Sequence, residues 1–181
     1  VILDRSPSRG LGDVYKRQMI PIMKEDPSPT ILIAGETTKS HEKFVADLKE
    51  KIRSAGLEKR ILFLGKVHYA EEVPKLMRGL AIVAALSTIE GFGLPVLEAM
   101  ASGCAVVASR TGAWEDIIVS DEHGLLVPCN DVKAAHEALK KLTSNSSSLE
   151  KMGLRGRDRI AKRFTIENEA SSLLELYKSV Q

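Results

Sequence analysis

Glu90-Gly-Phe-Gly-Leu-Pro-Val-Leu-Glu98, continued by Ala99-Met-Ala-Ser-Gly103, is the stretch from which the fold is read. Two carboxylates bracket an aromatic turn set between Gly91 and Gly93. Pro95 follows, and it suits the opening of a helix, where its missing N–H costs nothing. The run just before, Leu80-Ala-Ile-Val-Ala-Ala85, is wholly apolar and short, as a strand buried on both faces should be. Ala105-Val-Val-Ala108 repeats that pattern beyond Gly103. The unit is therefore strand, loop, helix, strand.

The same alternation extends outward in both directions. Upstream, Thr30-Ile-Leu-Ile-Ala34 and Arg60-Ile-Leu-Phe-Leu64 read as buried strands ended by Gly35 and Gly65. Between them Phe44, Val45, Leu48, Ile52 and Ala55 recur at helical spacing, with Gly56 placed for a C-terminal cap. Met19–Lys24 reads as the tail of a helix, and Glu71–Met77 as a short one. Downstream, Trp114–Val119 predicts a short helix and Gly124-Leu-Leu-Val127 a fifth strand. Asp131 is placed to N-cap a helix carrying Val132, Ala135, Ala138, Leu139 and Leu142. Helices over 148–164 and 166–180 complete the chain. Alternating elements of this kind specify an α/β fold, a Rossmann-like parallel sheet with helices on both faces and helices at the C-terminus. Right-handed crossovers bring the strand C-termini to one edge, where ligands bind, and Glu90 stands on it.

Composition narrows the function. The chain has 181 residues, is 44% hydrophobic and 28% charged, and carries a formal net charge of +2. These are the proportions of an ordinary globular domain. There is no basic run to mark a nucleic-acid partner and no apolar stretch long enough to span a membrane. Cys104 and Cys129 lack metal-type spacing and read as small core residues in a reducing cytoplasm. His41, His68, His123 and His136 are scattered and read as surface or loop residues.

Val1–Gln18 differs from the rest. It crowds Arg, Ser, Pro and Gly together without periodicity. Asp13-Val-Tyr-Lys-Arg-Gln18 resembles a translated sequencing-library adapter, so the segment reads as adapter-derived, with a natural disordered linker as the alternative. Residues 19–181 then form the domain, and the charges within it nearly balance.

The chemistry of the central stretch follows from its place at a helix entry. Gly93 and Leu94 offer backbone amides at the positive end of the helix, which suits a phosphate. Glu98, about a turn inside, can accept two vicinal ribose hydroxyls, and Glu90 can do the same for a sugar ring. A phosphate flanked by two polyol binders implies a nucleotide-sugar. The bland reading is equally open at this point: Glu98 as an acid favoured by the helix dipole, and Glu90 as a solvated loop acid. Paired carboxylates also serve glycoside hydrolases, although amides between the acids suit a diphosphate better. A dinucleotide dehydrogenase is disfavoured, because no G-x-G-x-x-G follows a strand.

The long E-x7-E block, with Gly112-Ala-Trp-Glu115 and Asp121-Glu-His-Gly124-Leu-Leu-Val-Pro128, resembles the C-terminal half of family-4 retaining glycosyltransferases. The wider pattern, including Ala34-Gly35-Glu-Thr-Thr, is similar to bacterial lipopolysaccharide-core and exopolysaccharide transferases, often mannosyltransferases. The resemblance implies a GT-B architecture with the donor held in the cleft. It implies Glu90 on the donor-sugar hydroxyls as the catalytic-site acid. Gly91, Phe92, Gly93 and Leu94 would contact the sugar and diphosphate, Glu98 the ribose, and Gly65, Lys66 and Val67 the base. It further implies a GDP-mannose or UDP-sugar donor, a glycan or glycolipid acceptor, retention of configuration, no metal and no cofactor. The implied location is cytoplasmic, with a lipid acceptor drawing the enzyme to the inner face of the membrane.

Two departures qualify the resemblance. The family's diphosphate-neutralising Arg and Lys fall where this chain carries Val1–Gln18, and the spacing of Arg9, Lys16 and Arg17 does not support that role. The N-terminal acceptor domain is absent, so the chain is expected to be a fragment inactive in transfer by itself. Two alternatives share the edge acids: a GT-B nucleotide-sugar epimerase and a non-catalytic nucleotide-sugar binding module.

Overall fold

Strands with apolar residues at every position bury both faces, and this chain uses them to separate two cores. In the computed structural model, which describes residues 2–3, 20–27, 29–37 and 39–180, β1 (Ile2–Leu3), β2 (Ile31–Ala34), β3 (Ile61–Gly65), β4 (Ile82–Ala85), β5 (Ala105–Ser109) and β6 (Leu125–Val127) form one parallel sheet. Its order is β3-β2-β1-β4-β5-β6. The helices are α1 (residues 20–25), α2 (Glu42–Ser54), α3 (Val73–Arg78), α4 (Leu94–Ala101), α5 (Trp114–Ile117), α6 (Val132–Thr143), α7 (Ser146–Arg163) and α8 (Ile166–Ser179).

The period-2 geometry of a strand assigns alternate residues to opposite faces. Ile31, Ile82, Ala84, Ala105, Val107, Leu125 and Val127 meet α1, α2 and α6 on one face. Ala34, Val83, Ala85, Val106 and Ala108 meet α3, α4 and α5 on the other. The doubly wound α/β fold read from the sequence is thus the fold observed.

Helix ends follow local chemistry. Gly56 and Leu57 close α2 with a Schellman pair of bonds, their N–H groups donating to Arg53 O at 2.9 Å and Ile52 O at 3.0 Å. Asp131 Oδ1 accepts from Ala134 N–H at 2.9 Å, as its position predicted. Asn145 Oδ1 and Thr165 Oγ1 cap α7 and α8 in the same way.

Four expectations need correction. The sequence reading places no strand in Val1–Gln18, yet Ile2 pairs with Ile33 and Ala84 in mid-sheet. Two residues are too few to display a period. The rest of that segment, with Arg9, Lys16 and Arg17, lies outside the described residues. Second, β3 is an edge strand rather than a doubly buried one, with Leu62 and Leu64 each 40% exposed. An apolar run does not reveal whether its second face is covered. Third, Cys129 is only half-buried, its Sγ 3.2 Å from Arg110 O. Cys104 is fully buried as expected, and its thiol donates to Met77 O at 3.1 Å. Burial pushes that thiol up to about 11, leaving it unreactive at neutral pH. Fourth, His123 lies in a turn, as the loop reading allows, but its side chain is mostly buried rather than at the open surface. Its Nδ1 is buried without a hydrogen-bond partner among the described residues, and desolvation lowers its pKa despite the opposing charge of Glu122.

The last helix stands apart. No residue of α8 is buried, and Leu173, Leu174, Leu176 and Tyr177 are all exposed. These four residues give the helix an apolar stripe that packs on no core among the described residues.

Candidate functional site

Parallel strands put all their C-terminal ends on one edge. The order β3-β2-β1-β4-β5-β6 reverses direction between β1 and β4, and such a switch point opens a crevice for ligand. The loop that follows β4 rises beside that crevice. It contains Glu90, Gly91, Phe92 and Gly93 and runs directly into α4 at Leu94.

The loop is held from beneath by the turn after β5. Gly93 is the N-cap of α4, at φ 76° and ψ 50°, and Val96 N–H returns to its carbonyl at 3.0 Å. Beneath Gly93 lies the buried Trp114 ring, whose Nε1–H donates to Gly93 O at 3.3 Å. A Cβ on Gly93 would stand 1.8 Å from that nitrogen. Gly112, at φ 55°, makes a similar approach: a Cβ there would lie 2.4 Å from Glu90 O and 2.6 Å from Gly91 O. Ala113 N–H reaches Gly91 O at 3.4 Å, and Thr111 Oγ1 reaches Thr88 O at the same distance. Close packing at two glycines, on the Trp114 ring at Gly93 and on backbone carbonyls at Gly112, fixes the course of the loop. The Leu94 amide, in the unpaired first turn of α4, is thereby held in place.

α5, which carries Trp114, is secured in turn. Arg159 of α7 donates to Ile117 O at 2.6 Å and to Asp116 O at 2.9 Å. These arginine contacts leave no trace in hydrophobic periodicity.

The two acids behave differently. Glu90 is half-buried and accepts the N–H of Gly91 at 3.1 Å, so its carboxylate folds back along the loop. Glu98, also half-buried, sits in the second turn of α4 and accepts the hydroxyl of Tyr69 at 2.6 Å. Sequence reading missed Tyr69, which lies in an irregular loop 29 positions away from its partner. Phe92 and Leu94 are 58% and 52% exposed and form an apolar lip around the amides.

Gly65, Lys66 and Val67 lie on the same edge, at the end of β3. Gly65 O accepts from Gly35 N–H at 2.9 Å, tying the ends of β2 and β3 together. Lys66 Nζ stands 3.7 Å from Glu36 Oε2, with both side chains largely exposed. An exposed pair at that distance contributes little to stability. Val67 packs against the second core and anchors the loop. His68 is exposed, as expected, and its backbone N–H donates to Glu72 Oε2 at 2.6 Å. The structure therefore brings the β3 end, Tyr69, Glu98 and the Glu90 loop to one edge of the sheet. Among the described residues, no group of three or more His, Cys, Asp or Glu side chains could hold a metal ion.

Comparison with known proteins agrees with this geometry. A family model described as glycosyl transferases group 1 matches residues 17–159. The lipopolysaccharide core biosynthesis mannosyltransferase LpsB of Rhizobium meliloti (strain 1021) is 35% identical over 170 residues, covering 93% of this chain and 48% of LpsB. LpcC of Rhizobium leguminosarum bv. viciae, which bears the same description, is 35% identical over 168 residues, covering 93% of this chain and 47% of LpcC. The chain thus spans about half the length of the curated relatives it matches. Among solved structures, the C-terminal domain of the group 1 glycosyl transferase LpcC from Francisella tularensis superposes with a TM-score of 0.82 at 37% identity. That match covers 92% of this chain and 84% of the other. With the doubly wound sheet, the braced glycine loop and these matches together, the chain belongs to the group 1 glycosyl transferases.

Proposed function

We propose that residues 19–181 form the donor-binding domain of a retaining glycosyltransferase that uses GDP-mannose or a UDP-sugar. The observation that carries this reading is the placement of Glu90 and Glu98 on either side of a rigid amide-bearing turn at the switch point. The diphosphate lies over the Gly93–Leu94 amides at the positive end of α4. Glu98 accepts the ribose hydroxyls, Glu90 binds donor-sugar hydroxyls at the reacting face, and Phe92 lines the sugar. Gly65, Lys66 and Val67 hold the base largely through backbone. A uridine nucleotide stays one candidate, since the Anabaena protein HepE, which shares this fold, was crystallised with UDP and with UDP-glucose. The names of LpsB and LpcC support mannose and a lipopolysaccharide-core acceptor.

In the whole enzyme the anomeric carbon–oxygen bond to the diphosphate breaks as the acceptor hydroxyl attacks from the same face. The hydroxyl proton leaves with the diphosphate oxygen. Helix amides and basic side chains, rather than a metal, stabilise the developing charge. A glycan or glycolipid acceptor is bound by an N-terminal domain, and a lipid acceptor brings the enzyme to the inner face of the cytoplasmic membrane. Among the described residues no helix is long and apolar enough to cross a membrane.

The ribose role is testable by Glu98→Ala. Losing charged hydrogen bonds to two hydroxyls should weaken nucleoside diphosphate binding by about 1–3 kcal/mol, roughly 5- to 150-fold. Titration calorimetry on both proteins reads this directly. Unchanged affinity would remove Glu98 from the ribose role.

A further inference from the structure

α5 is too short to hold itself in place. It has four residues, Trp114–Ile117, and the last turn of a helix leaves its carbonyls without intrahelical donors. Arg159 of α7 supplies donors from outside. Its Nε–H donates to Ile117 O at 2.6 Å, and its Nη2 donates to Asp116 O at 2.9 Å. Two charge-assisted bonds from one planar guanidinium fix both the position and the rotation of the helix end. The Phe164 ring lies within cation–π range of the same group, its centroid 5.8 Å from Cζ.

The other end of α5 meets the glycine loop. Trp114, the first residue of the helix, is buried, and its Nε1–H reaches Gly93 O at 3.3 Å. That distance is at the long limit for an N–H to carbonyl bond, so a shift of α5 on the order of a few tenths of an ångström would break it. No slack lies in the opposite direction, because the ring already fills the place a Cβ on Gly93 would take. Gly93 is the N-cap of α4, and its carbonyl also accepts from Val96 N–H, so the indole bears on the helix entry itself. The guanidinium and the indole are thus the two ends of one strut, with α5 between them.

We propose that Arg159 is a positioning residue for the donor: by holding the C-terminal end of α5, it keeps Trp114 against Gly93 and the first-turn amides of α4 aligned for a phosphate. This rests on the donor-site reading above and extends it to a residue outside the loop. Without the arginine, α5 drifts and the indole contact is lost. The loop must then be ordered as ligand binds, which lowers affinity. The chain's single tryptophan stands inside the strut and reports on it.

The test compares wild type with Arg159→Ala and Arg159→Lys under conditions where circular dichroism shows each protein folded. Lysine keeps a charged donor, so it carries the same readouts should the alanine variant not fold. Ile52→Ala, which opens the core on the opposite face of the sheet, is the control for lost stability. Two quantities are read: affinity for UDP and GDP by titration calorimetry, and acrylamide quenching of Trp114 fluorescence. Arg159→Ala should weaken the nucleotides about three- to tenfold, the effect of losing one neutral hydrogen bond, and open Trp114 to the quencher. Arg159→Lys should shift both in the same direction by less, and Ile52→Ala should match wild type in both. In a Trp114→Phe background Arg159→Ala should weaken binding less than it does alone, since the strut is already cut. Wild-type affinity or wild-type quenching in the arginine variants would overturn the inference, and so would equal weakening in Ile52→Ala or full additivity in the double variant. In each of those cases nucleotide binding by wild type would leave the donor-site reading standing. If wild type bound no nucleotide at all, the donor-site reading would fall, and this inference with it.

Discussion

Trp114→Ala is expected to destabilise the protein by about 3–5 kcal/mol, the range for truncating a buried aromatic. Trp114 is the chain's single tryptophan and is only 1% exposed. Its ring fills the space beneath Gly93 and packs in the same core as Val96, Ile117 and Ile118. Removal leaves a cavity directly under the glycine loop and deprives Gly93 O of its indole donor. The stability loss should therefore come with a loss of nucleotide affinity, since the loop would no longer be held in the binding conformation. Circular dichroism in urea reads the first effect, because tryptophan fluorescence is lost with the residue. Trp114→Phe keeps much of the volume but not the N–H, so its cost should be nearer 1 kcal/mol plus a smaller packing term.

Gly153→Ala should also be clearly destabilising, though less than Trp114→Ala, and for the opposite reason. A Cβ on Gly153 would lie 2.1 Å from Gly103 O and 3.0 Å from its carbonyl carbon. Both are backbone atoms at the turn joining α4 to β5, so no side-chain rotation relieves the clash. α7 would have to lift from the sheet, disturbing the Arg159 contacts to α5. Overpacking typically costs about 1–3 kcal/mol, occasionally more, and a backbone obstacle belongs at the upper end. The helix-propensity gain of about 1 kcal/mol for alanine over glycine offsets only part of this. Gly156, one turn further, is the internal control. Its nearest neighbours would be His123 O at 3.3 Å and Met100 side-chain atoms at 3.6 Å. Gly156→Ala should thus lie within about 1 kcal/mol of wild type, and a urea midpoint for each variant decides the comparison.

Much of the fold was legible because parallel α/β sheets write themselves as short apolar runs punctuated by glycine. Ile82–Ala85 and residues 105–108 are buried at every position, as their unbroken apolar character required. Asp131 announced its helix because an N-cap is a local, side-chain-to-backbone event. Long-range features were not legible. Whether β3 would be central or at the edge depends on strand order, which no local pattern encodes. Tyr69, Arg159 and the Gly153–Gly103 approach depend on which loops and helices meet after folding. Within the candidate site, the sequence marked the acids and the glycine turn through their chemistry. Trp114 carried no such mark, and its position under Gly93 emerges only from the packing of the β5–α5 turn against the β4–α4 loop.

If the Glu90–Gly103 unit grips the nucleotide part of a sugar donor, as proposed, the domain binds nucleotide without an acceptor. Isothermal titration of UDP, GDP and GDP-mannose into the 181-residue chain tests it most directly. Saturable one-to-one binding at millimolar concentration or below is expected for at least one nucleotide, with the Glu98→Ala variant markedly weaker. A flat titration for all three ligands against a folded protein would contradict it.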